Sequence, residues 1–112
     1  MPEHKKETLA ISEKCMIQKC SCGAIHLHYQ YVSLAIQKDT LFNIMQKCYT
    51  WQERLKDESF FAQQTPFKIL IGVCMLTVSS DDFPRFNATV QEATSKLMCL
   101  EKVLNTSKIA LN

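Results

Sequence analysis

Cys15, Cys20 and Cys22, followed by Gly23 and by His26 and His28, bring thiols and imidazoles together in one short stretch of the chain. Zinc takes these groups in tetrahedral sets of four, and a tight turn containing glycine presents two thiolates well. A zinc-binding domain built on Cys20, Cys22 and some combination of Cys15, His26 and His28 is therefore one expectation. The spacing departs from the familiar zinc turn, Cys-x-x-Cys-Gly: Lys19 stands three before Cys22, and no second cysteine pair follows. Cys20-Ser21-Cys22 beside Lys19 also suggests thiol redox chemistry, because nearby positive charge favours a thiolate. A disulfide across one intervening residue is strained, and the redox pair of established mechanism has two such residues at a helix N-terminus. Cys48, Cys74 and Cys99 stand singly and read as small apolar fillers.

Other catalytic arrangements find little support. Two separated glycines make no phosphate loop, there is no Gly-x-Ser-x-Gly turn, and no third group is placed to orient a histidine beside a cysteine. Paired carboxylates occur as Asp57-Glu58 and Asp81-Asp82, and the latter pair suits a helix N-terminus. The residues favour a non-catalytic interaction or regulatory domain, with a protein partner or a homodimer. Phe42, Tyr49 and Trp51, on the flank of a predicted helix, form a candidate interaction surface.

The chain has 112 residues, 46% hydrophobic and 21% charged, enough for one core and too few for two. Thirteen Lys and Arg against eleven Asp and Glu leave a formal charge of +2, too small a field to draw nucleic acid. The opening MPEHKKETLAIS lacks the apolar core of a secretory signal, and Ile69 to Leu76 is far short of the roughly 20 residues that span a bilayer. These features predict a cytoplasmic protein with no membrane role, whose six cysteines are thiols or metal ligands rather than disulfides.

Residues 1–19 mix Lys, Glu and single apolar residues without a period, which predicts a flexible or loosely docked arm before a single α+β domain over 20–105. Ile25, Leu27 and Tyr29 share one strand face, and Val32, Leu34 and Ile36 another, with a phase break at Gln30-Tyr31 that is poor hairpin chemistry. Asp39 or Thr40 can cap a helix carrying Leu41, Ile44, Met45, Cys48, Gln52 and Leu55. Phe67 to Val78 reads as strands covered on both faces or as a buried hairpin turning at Gly72. A second helix follows, with Phe83, Phe86, Val90, Ala93, Leu97, Leu100 and Leu104 in its stripe, ending near Asn105 before a tail over 106–112.

These elements echo one another at an offset of 42 residues: Ile25 meets Phe67, Leu34 meets Leu76, Ile44 meets Phe86 and Cys48 meets Val90. Two strand-strand-helix units result. The predicted fold is ββαββα, with both hairpins joined in a four-stranded, mainly antiparallel sheet and two helices on one face.

Cys22-Gly23, His26-Leu27 and Tyr29, then Val32, Leu34, Ile36 and a helix, resemble a family of small bacterial proteins of unknown function, mostly from Bacteroidetes. There a Cys-Gly step precedes a His-Leu-aromatic strand, a tight turn and a strand-to-helix junction. The similarity spans about residues 20–100, and the chain departs from it at Gln30-Tyr31, where Gly-Asn is the family's turn. The resemblance implies a soluble bacterial domain and transfers no catalytic residue.

Overall fold

Burial alternates along Ile25–Tyr29 and ends inward at Ile36, so each stretch lays one face on a core, as the period of two requires. The computed structural model describes residues 5–57 and 65–110, and within them the side chains of 5–56 and 65–101. The elements are β1 (Lys6–Ile11), β2 (Cys15–Cys20), β3 (Ile25–Tyr29), β4 (Val32–Ile36), α1 (Lys38–Asp57), β5 (Phe67–Ile71), β6 (Cys74–Val78) and α2 (Phe83–Ala110).

The class is α+β, but the order is ββββαββα rather than ββαββα. The four-stranded sheet is β1-β2-β3-β4, antiparallel throughout, and β5-β6 is a separate hairpin. Two corrections follow. The segment expected to be an arm before residue 20 supplies β1 and β2, and the two hairpins do not join. The second sheet partner of β3 comes from upstream, so β3 is already flanked by β2 and β4. β1 escapes a simple period because its register slips between Thr8 and Ala10, a bulge that leaves Leu9 and Ala10 both buried.

The turn after β1 is pinned to the start of α2, which is why so polar a segment is ordered. Lys14 Nζ donates to Asp82 Oδ2 at 2.9 Å, Glu13 pairs with Arg85, and the Ser12 and Thr89 hydroxyls lie 2.9 Å apart.

The 42-residue offset does hold within the two hairpins. β3 and β4 map end for end onto β5 and β6, and the turn positions coincide: Gln30 at φ 52° corresponds to Gly72 at φ 62°. Gln30 thus occupies left-handed backbone that glycine adopts more readily. A two-residue hairpin forms despite that chemistry, because Tyr29 pairs with Val32 and Tyr29 is anchored in the core.

α1 begins at Lys38, where the Leu41 amide donates to the Gln37 carbonyl at 3.1 Å, so Asp39 lies in the first turn and does not cap the helix. Asp82 is the residue before α2, its carbonyl accepting from the Phe86 amide at 3.0 Å. Leu41, Ile44 and Cys48 from α1 and Phe83, Phe86, Val90, Ala93 and Leu97 from α2 enter one core with the inward faces of both β units. Phe67 sits among Phe83, Trp51 and Phe86 at centroid separations of 5.1, 6.0 and 6.2 Å. Each fully buried side chain of this size contributes roughly 1.5–3 kcal/mol of transfer free energy. α2 packs on β1 and β2, and α1 packs on α2 and β5. α2 continues to Ala110, past the expected end near Asn105 and through much of the expected tail. The side chain of Leu104 lies outside the described residues.

Candidate functional site

The alternation of β3 sets the histidines of the zinc reading on the face away from the core, which Cys15 enters. Ile25, Leu27 and Tyr29 are buried, so His26 and His28 stand on the opposite face of the sheet, half-exposed. Their rings are near-parallel, 6.3 Å apart, and His28 Nδ1 lies 2.8 Å from Ser33 Oγ on β4. Cys15 enters the core beside Ile17, whereas Cys20, an odd number of residues on, is buried at the end of β2 outside that core cluster, and Cys22 is exposed at a turn closed by the Gly23 amide donating to the Cys20 carbonyl at 2.9 Å. All six cysteines are thiols. The structure does not gather Cys15, Cys20, Cys22, His26 and His28 into one ligand set. Among the described residues no group of three or more His, Cys, Asp or Glu could hold a metal ion.

Burial pushes the Cys15 thiol up to about 12, and burial followed by the nearby Cys15 does the same to Cys48. Both are protonated at neutral pH, the form that neither attacks nor ligates readily.

The aromatic flank of α1 divides. Phe42 and Trp51 are half-buried against the core, Trp51 beside Phe67 and beneath the Arg54 guanidinium at 5.3 Å. Tyr49 alone of the three is exposed, at 56%. The apolar stripe of α2 is spent on its own core as far as Leu97.

A different surface is open. β5 and β6 bury Phe67, Ile69, Ile71, Leu76 and Val78 on one face and leave Lys68, Leu70, Met75 and Thr77 exposed on the other. Leu70 and Met75 are cross-strand partners, 57% and 56% exposed, and Val73 at the tip is fully exposed. The sequence reading covered this hairpin on both faces; the helices and the sheet cover one. Lys68 and Thr77, a polar pair within an apolar run, were the signal that one face meets water.

A groove of about 540 Å³ runs between α1 and α2, lined by Gln52, Leu55, Phe83, Pro84, Asn87 and Gln91. Gln91 Nε2 donates to Asn87 Oδ1 at 3.1 Å and to the Met45 carbonyl at 3.4 Å, so these polar groups join the two helices to each other. No helix among the described residues is long and apolar enough to cross a membrane.

Comparison of the chain with protein-family models, with curated proteins and with solved structures gives no match.

Proposed function

We propose that this chain is a non-catalytic interaction domain that self-associates through its β5-β6 hairpin. One observation carries the reading: Leu70, Met75 and Val73 leave large apolar side chains uncovered on a two-stranded unit that pairs with no other strand among the described residues. Large apolar groups exposed together mark contact surfaces far more often than single ones do. The surface lies apart from the α1 flank of Phe42, Tyr49 and Trp51, two of which are committed to the core.

The test is the solution mass of Leu70→Lys/Met75→Glu, whose new side chains form an opposite-charge cross-strand pair, beside that of the wild type. Both substitutions fall on exposed positions, so the fold tolerates them and the thermal midpoint stays unchanged. The wild type shows a mass that rises with concentration, and the double variant stays monomeric. A wild type that is strictly monomeric at high concentration, or a variant that associates equally well, overturns the reading.

A further inference from the structure

The strand edges of the molecule are not equally protected. β1 carries Lys6, Glu7 and a bulge, the devices that keep an edge from pairing with another chain. β5 carries Lys68, follows Pro66 and packs against α1. β6 reads Cys-Met-Leu-Thr-Val, with no charge, no proline and no break in its register with β5.

The register fixes which main-chain groups of β6 are free. In a hairpin closed by a two-residue turn the flanking pair exchanges hydrogen bonds, here Ile71 and Cys74, and the bonded pairs then alternate. Ile69 with Leu76 and Phe67 with Val78 are bonded in the same way. The amide and carbonyl of Met75 and of Thr77 therefore point outward, away from β5, along an edge that no strand of the described residues takes up.

We infer that the occupant of this edge is β6 of a second copy, antiparallel about a two-fold axis at Leu76; the inference rests on the self-association proposed above and names its partner strand. The two outward-pointing residues lie symmetrically about Leu76, so the axis pairs Met75 with Thr77 of the second copy and Thr77 with Met75, satisfying all four amides and all four carbonyls. The two hairpins become one four-stranded sheet. On its outer face each row runs Leu70, Met75, then Thr77 and Lys68 of the other copy, so the apolar pair of each chain abuts the polar pair of its neighbour and the two Met75 side chains meet diagonally across the new seam. The two Lys68 ammonium groups fall at opposite ends of the sheet, and β6 places no charge against itself.

β4, the strand that corresponds to β6 in the other hairpin, is the less suitable edge. Its outward residues are Ser33 and Ala35, which offer little apolar area, and Leu34 to Ile36 face Ile71 and Gly72 of the same chain across a cleft. A β4-to-β6 pairing between copies joins two different edges and leaves one of each open, which builds filaments rather than a closed dimer. Five residues make an edge smaller than the roughly 800 Å² per partner of a standard interface, so the dimer is weak and reversible.

Backbone amide exchange of the wild-type chain, read residue by residue by NMR at low and high concentration, tests this directly. Exchange at Met75 and Thr77 slows by about fivefold or more as the dimer fills, while Lys68 and Leu70, on the outer edge of β5, keep their rates. Thr77→Pro removes an amide that makes no bond to β5, so it abolishes the dimer and leaves the hairpin intact. A rising mass without slowed exchange at Met75 and Thr77, or with slowed exchange at Ser33 and Ala35, overturns the β6 pairing while self-association stands. A mass that never rises overturns both.

Discussion

The phenol of Tyr29 donates to Asp82 Oδ2 at 3.4 Å, joining the inner strand β3 to the residue that precedes α2 across 53 residues of chain. The same carboxylate takes the Lys14 ammonium from the β1-β2 turn. Three segments distant in sequence thus converge on one acidic side chain at a helix N-terminus, where negative charge is favoured.

This arrangement predicts an acid dependence with a definite sign. The hydrogen bond from Lys14, aided by Ser79, the Lys14 charge and Tyr29, holds the Asp82 carboxyl below its ordinary value against the opposing effect of desolvation. A depressed folded-state pKa contributes stability that is full above the unfolded value, about 3.9, and is lost as pH falls through the folded value. Asp82→Asn therefore lowers the urea midpoint at pH 7 and shrinks the difference between the midpoints at pH 7 and pH 3. An unchanged difference between the two midpoints contradicts the assignment.

Tyr29 titrates in the opposite sense. Burial first, then Asp82 by its charge and hydrogen bond, then Cys15, push the phenol up to about 12. Stability from this group is full below the unfolded value, about 10, and is lost as pH rises through the folded one. Tyr29→Phe keeps the ring edge-on to Phe86, whose centroid lies 5.4 Å away, and removes this alkaline loss. Denaturant melts between pH 9 and pH 11.5 should show a flatter profile for the variant.

The paired turns predict substitutions of opposite effect. Gln30→Gly relieves a left-handed side-chain-bearing residue and raises stability by about 0.5–1 kcal/mol. Gly72→Ala costs about 1 kcal/mol through backbone strain alone, because nothing lies within 4 Å of the added Cβ. Equilibrium unfolding of both variants checks the signs.

Thiol reactivity reports the fold and the zinc reading together. Iodoacetamide labels Cys22 and Cys99 first and half-exposed Cys74 later, whereas Cys15, Cys20 and Cys48 label only on unfolding, as peptide mass spectrometry would resolve. Chelator treatment leaves the melting temperature unchanged, since among the described residues no three His, Cys, Asp or Glu gather into a ligand set and Cys15 faces the core while His26 and His28 face away from it. A chelator-induced loss of several degrees would bring the metal site back.

Much of the second half was legible because its pattern is local. Both strands of β5-β6, the turn at Gly72 and the helix face from Phe83 to Leu97 follow from alternation, one glycine and three-four spacing. β1 and β2 were hidden for physical reasons. An edge strand that buries only Leu9 and Ala10, through a bulge that breaks the period of two, resembles a polar arm. Its order comes from tertiary pairing of Glu13 and Lys14 with Arg85 and Asp82, which no local window contains. The choice of β2 rather than the second hairpin as the neighbour of β3 is likewise non-local. The Cys-His cluster looked like a site because nearness along the chain hid that Cys15 enters the core, Cys22 lies in an exposed turn, and His26 and His28 face away from the core. Leu70 and Met75 were overlooked because an apolar run does not say which of its faces is covered.

Sedimentation equilibrium of the wild-type chain over a hundredfold range of concentration measures the central claim most directly. The account predicts a weight-average mass climbing from one chain toward two and no further, since a two-fold pairing of β6 closes on itself. A mass fixed at one chain throughout, or one that climbs past two without a plateau, contradicts it.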